Sequence, residues 1–153
     1  MSSTITALTS GGGIALAGDT SGQLQLLTNN GTVALTIDTN QQVAFSGAYK
    51  EAVVAKGTVG STSTISLTSG TIQTATLTAS TPCTFTMPTA TAGQSFILQL
   101  TQAATGMTTA TFTGVQWPGG TAPTITATAS AVDIISFVCI GSTWYGTIAQ
   151  AFA

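Results

Sequence analysis

A chain of 153 residues has room for one ordinary domain, or for one domain and a small appendage, and this one carries two Lys, no Arg, four acidic residues and no His, for a formal net charge of −2. Charged residues are 4 % of the sequence, against about 25 % in a typical soluble domain; threonine, roughly one residue in five, supplies instead a β-branched hydroxyl suited to the open face of a strand. With Lys50 and Lys56 the only cations, no apolar run near the ~20 residues of a membrane helix and no basic-then-apolar N-terminus, the expectations are no nucleic acid, no membrane insertion and no secretion.

In chain order, residues 1–13 are small and polar and end in Gly11-Gly12-Gly13. They read as an N-terminal arm that gains little by ordering alone and that would fold onto a partner surface by strand addition. Period-two alternation predicts strands over 23–28, 32–38 and 42–45, with Asn29-Asn30-Gly31 supplying an Asn-Gly hairpin turn and Thr39-Asn40-Gln41 a second turn. Residues 14–47 therefore form a small β-meander. It is too thin in apolar residues to be stable by itself and is expected to be a trimerisation segment ordered by neighbouring copies. Residues 48–63 hold Lys50, Glu51 and Lys56 among small residues and read as a connector, with a helical turn or a strand at Val53-Val54 as alternatives.

From residue 64 a larger unit begins. Strands are predicted over 64–68, 74–79, 83–87, 95–102, 109–113, 124–127, 132–140 and 143–149, separated by turn residues such as Ser69-Gly70, Trp117-Pro118-Gly119-Gly120 and Gly141-Ser142. The fold expected is all-β, with the N-terminal meander followed over 64–153 by a jelly-roll-like β-sandwich knob. Its core would draw on Leu77, Phe85, Phe96, Leu98, Leu100, Phe112, Ile134, Phe137, Trp144 and Ile148. Cys83 and Cys139 alternate with apolar neighbours and read as two small core residues more readily than as a disulfide.

The chemistry of the side chains is narrow. Without histidine there is no Ser-His-Asp or Cys-His nucleophile and no imidazole base, two cysteines cannot complete a zinc shell, and without arginine a phosphoryl clamp is missing. A glycosidase-like carboxylate pair from Asp19, Asp38, Glu51 and Asp133 is the one enzymatic reading left. Capping of turns by Asp19 and Asp38, and an edge charge at Asp133, weigh more. Gly11-Gly12-Gly13 and the Gly57 to Gly60 stretch lack the Lys-Ser or Lys-Thr of a phosphate loop. Asn30-Gly31-Thr32 fits the glycosylation pattern but is better read as a turn. No catalytic, metal or cofactor residue is expected, and no cofactor. Trp117, Trp144 and Tyr145 are candidate partner or glycan contacts, although core or subunit-interface aromatics are the commoner use.

Two stretches carry a resemblance. The run Phe96-Ile97-Leu98-Gln99-Leu100-Thr101-Gln102, the segment Val115-Gln116-Trp117-Pro118-Gly119-Gly120-Thr121-Ala122-Pro123-Thr124, then Ala131-Val132-Asp133-Ile134-Ile135-Ser136-Phe137 and the closing Trp144-Tyr145-Gly146 resemble a β-domain of tailed-bacteriophage structural proteins, over residues 58–153. Leu26-Leu27-Thr28-Asn29-Asn30-Gly31-Thr32-Val33-Ala34-Leu35-Thr36-Ile37-Asp38 is similar to repeats of phage fibre shafts. The resemblance implies a trimeric virion appendage (tail fibre, spike, head fibre or capsid decoration protein) and carries over no catalytic residue. A short chain beginning at methionine suits a foot and a knob better than attachment domain, shaft and tip. The expectation is thus a non-enzymatic homotrimeric capsid decoration, or cement, protein of the virion. It would be assembled in the host cytoplasm and contact the major capsid protein or other virion proteins. The alternative is a tail-fibre or head-fibre protein with a tip for host surface glycan.

Overall fold

A computed structural model of the protein describes residues 22–28 and 31–152. The described chain is all-β and falls into two compact units, Met1–Lys50 and Glu51–Ala153. The N-terminal arm and the Asn29-Asn30 turn lie outside the described residues.

The first unit is an antiparallel sheet in the order β1 (Leu24–Thr28), β2 (Thr32–Ile37), β3 (Val43–Phe45). The turn into β3 is capped by Asp38, whose Oδ1 accepts the backbone N–H groups of Asn40 and Gln42, each at 2.9 Å, as expected of an Asx turn. Residues directly opposite in an antiparallel pair share a face. Leu24, Ile37 and Val43 make one cross-strand row and Leu26, Leu35 and Phe45 the next. A bulge between Leu26 and Leu27 sets Leu27 opposite Val33, so consecutive leucines reach the same face. The other face carries Gln25, Thr36 and Ala44.

The second unit starts with β4 (Val53–Val59) and β5 (Thr62–Thr64), continues with β6 (Ile72–Leu77) and β7 (Cys83–Thr86), then β8 (Ser95–Thr101) and β9 (Ala110–Phe112). Strands β4, β6 and β8 lie side by side in parallel in one sheet, and β5, β7 and β9 do the same in another. The chain therefore winds through three coils of a β-solenoid, each coil giving one strand to each sheet. After the coils come β10 (Val115–Gln116), β11 (Val132–Ile140) and β12 (Thr143–Phe152), which extend the first sheet to the order β10-β12-β11-β8-β6-β4, with β11 antiparallel to both β8 and β12. This antiparallel end closes the last coil, where a bare parallel edge would otherwise invite further pairing.

The solenoid corrects the jelly-roll-like sandwich: such a sandwich needs antiparallel ladders joined as Greek keys, and here the ladders within the coils are all parallel. Residues 48–63, expected to be a connector, contain β4 and β5, the first coil. The strands expected over 64–68 and 124–127 are not formed; β5 ends at Thr64, and 121–131 is irregular chain before β11.

The core lies between the two sheets. Leu77, Leu98 and Leu100 point inward from one, Cys83 and Phe85 from the other, and Ile135, Phe137 and Trp144 from the closing strands. Rings stack along the solenoid axis, Phe85 on Phe112 at 5.1 Å and Phe96 on Phe137 at 4.5 Å, and Trp144 meets Phe96 edge-on at 5.3 Å. Ile134, expected in this core, instead pairs with Gln99 and Ala149 on the opposite face, and Ile135 points inward. Both cysteines are buried free thiols.

Candidate functional site

The carboxylates described are each engaged by the fold. Asp38 caps its turn. Glu51 accepts a hydrogen bond from the Thr71 hydroxyl. Asp133 is 2 % exposed, which corrects the edge charge expected there. Its oxygens accept the Thr126 N–H and hydroxyl, both at 2.7 Å, and the Ala151 N–H at 3.0 Å. Those three donors satisfy a carboxylate that would otherwise be costly to bury. Thr71 immediately precedes β6, and Asp133 on β11 stands two strands away and four residues further along. At ~4.8 Å per strand and ~3.3 Å per residue, this puts Asp133 roughly 16 Å from Thr71, the partner of Glu51. A carboxylate pair working on one glycosidic bond sits about 5–10 Å apart. Asp19 lies outside the described residues, and among those described no three His, Cys, Asp or Glu side chains cluster to hold a metal ion.

The three candidate aromatics are separated in role. Trp144 is buried, its ring N–H donating to the Pro88 carbonyl at 2.9 Å. Trp117 packs against Phe112 and Phe137 and so closely over Gly146 that a Cβ there would lie 2.6 Å from its ring. Trp117 is thus part of the buried core, and with Pro118, Thr121 and Pro123 it lines a shallow hollow of about 220 Å³. The turn that delivers it has Pro118 second and Gly119 third at φ 70°, with the Gly120 N–H donating to the Trp117 carbonyl at 3.0 Å, as its sequence predicts. Tyr145 is exposed and lies beside Val138 on the outer face of the six-stranded sheet.

Buried polar groups do structural work that the sequence hides. The Gln102 side chain makes four hydrogen bonds, donating to the Thr108 and Thr126 carbonyls and accepting from the Ala103 and Thr108 N–H groups. It thereby holds the irregular segment after β8 without any turn motif. Lys56 sits where β4 bulges opposite the inward residue Ala75. Its ammonium donates to the Thr64 carbonyl at 2.6 Å, reaching from β4 to the end of β5 across the first coil. Among the described residues β4 is the end strand of its sheet, and an inward charge on an edge strand is a known device against unwanted strand pairing.

What remains conspicuous is apolar surface. In the first unit Leu26, Leu27, Val43 and Phe45 are each at least 50 % exposed and all belong to the single apolar face built above. Isolated surface hydrophobics are ordinary, but a contiguous face of them marks an interaction site.

The chain matches no family model, no curated protein and no solved structure.

Proposed function

We propose that this chain is a non-enzymatic structural protein of a tailed-phage virion, working as a homotrimeric capsid decoration protein that bridges and stabilises capsid subunits. One observation carries the structural part: a three-stranded sheet with one wholly apolar face, too small to persist alone in water, and exposed along that face. Copies of the chain offer the same face, and in 24–45 the one charged residue is Asp38, in a turn. Three such sheets meeting on an axis would bury their faces against one another. The virion part rests on the resemblance of residues 58–153 and 26–38 to phage proteins. Three feet on one trimer then act at high effective concentration on a symmetric shell.

A tail-fibre or head-fibre protein with a glycan-binding tip is the second reading, favoured by the hollow beside Trp117 and by exposed Tyr145. Light scattering on the purified chain and gold-labelled antibody on intact particles test both. A trimer labelling the capsid surface supports decoration, label on the tail supports the fibre, and a monomer that labels no particle removes both.

A further inference from the structure

The outer face of the six-stranded sheet has no partner within its unit. Across β4, β6 and β8, Val53, Ile72 and Ile97 form one row, and Val138 and Tyr145 pair further along the sheet. Val53 and Ile140 are over 60 % exposed, and Val138 and Tyr145 over 40 %. The strands of this sheet contain two charged residues, and neither points outward: Asp133 is buried on the inner side and Lys56 reaches to Thr64. The outer face is therefore uncharged from β4 to β12, its apolar and hydroxyl side chains surrounding the amide of Gln99.

We infer that this face is a contact surface for a second copy of the same chain. Charge selects the occupant. Charged residues are about 25 % of a typical soluble domain, and each charge laid here would be desolvated with nothing opposite to pair it. Residues 51–153 of this chain hold three charged residues in all, Glu51, Lys56 and Asp133, so a second copy brings a surface as free of charge as the one it covers. Size agrees. Five long strands at ~4.8 Å and about seven residues at ~3.3 Å give roughly 550 Å² of flat sheet, and side-chain relief brings the accessible area toward the ~800 Å² per partner of a stable interface. Lys56 is an inward charge on β4, the end strand of this sheet among the described residues, a device against edge pairing that leaves the face for association.

The inference deepens the oligomeric reading above and rests on it, so its test must separate the two. Full-length Ile140→Cys, labelled with a benzophenone maleimide, is prepared at natural isotope abundance, mixed with the 15N-labelled form and illuminated after exchange. The expected result is mixed-isotope cross-linked peptides joining position 140 to β4, β6, β8, β11 or β12 of another copy. Ile97→Arg, added to the labelled chain, should lower their yield at least tenfold with an unchanged far-UV spectrum; Val53→Arg replaces it if that spectrum changes. Cross-links confined to one copy, or running to residues before Glu51 of another copy, overturn the face while leaving the oligomer standing. So does a yield that neither Arg variant lowers, or an absence of cross-links in a protein that scatters as an oligomer. A wild-type monomer overturns both.

Discussion

Asp133 shows how a charge that looks misplaced in an apolar strand becomes structural. Its three donors come from the segment before β11 and from the end of β12, at the bulge between Val132 and Ile134 where Ala151 is held at φ 63°. Asp133→Ala leaves all three donors without their partner, each worth about 1 kcal/mol. The expected loss is about 3 kcal/mol in urea unfolding, with Asp133→Asn losing less because one acceptor oxygen remains. Cys83 makes a different statement. Burial pushes its thiol upward from the ordinary range, because the thiolate is the form that the core disfavours. The unfolded thiol ionises near about pH 8.5 while the folded one keeps its proton, so above that pH the unfolded state binds fewer protons and stability falls. The contribution is fully present below the unfolded value and is lost as pH rises toward the folded one, by at most about 1.4 kcal/mol per pH unit. Unfolding curves across alkaline pH should decline more steeply for wild type than for Cys83→Ala; parallel curves would contradict this.

At the level of elements, Gly146 of β12 is a tight fit. A Cβ there would lie 2.6 and 2.8 Å from two Trp117 ring atoms and 3.0 Å from Val115. Gly146→Ala must push the indole off β12, at about 1–3 kcal/mol for overpacking, and the tryptophan emission should shift red; an unshifted spectrum and midpoint would refute the contact. At the other end of the sheet, Lys56→Val removes the charge that guards the β4 edge. This variant should form larger aggregates in sedimentation velocity while its monomeric fold is kept, and an unchanged size distribution would show that the edge needs no guard. These elements also show what the sequence could reveal. Alternation gives the strands and their inward sides, hence Leu77, Phe85, Phe96 and Phe137, because pleating alone fixes that pattern. It does not say which strand lies beside which. The coils are of unequal length: Ile72 of β6 pairs Val53, 19 residues back, and Ile97, 25 residues ahead, so no fixed period announces a solenoid. A recurrence is Thr62-Ser63-Thr64, Thr84-Phe85-Thr86 and Thr111-Phe112-Thr113, whose first two positions align across β5, β7 and β9. Ile134 was misread because Val132, Ile134 and Ile135 make both sides of β11 apolar. Of the aromatics chosen as contacts, Trp117 and Trp144 both proved to be core, Trp144 for the usual reason: a large ring with one polar atom is well served by a single buried carbonyl.

For the molecule as a whole, the first unit and the second pose opposite problems. The second has a core of stacked coils and a closing hairpin, whereas the first has only one side of a core. Leu35 lies at the centre of that side, between Leu26 and Phe45, and Thr36, its neighbour in sequence, faces the other way. If the face is buried between copies, Leu35→Asp removes about 2 kcal/mol of apolar burial per chain and adds a carboxylate to a water-free seam. Summed over three chains, the apolar part alone is about 6 kcal/mol, or a fall of about 20,000-fold in the association constant. Thr36→Asp changes the charge of the same strand by the same amount on the face that carries Gln25 and Ala44, and should leave association within a few-fold of wild type. Sedimentation equilibrium of the three proteins over a range of concentrations separates the cases. Dissociation by Leu35→Asp alone assigns the oligomer to this face, dissociation by both variants points to net charge, and an intact oligomer in both places the subunit contact outside the first unit's sheet.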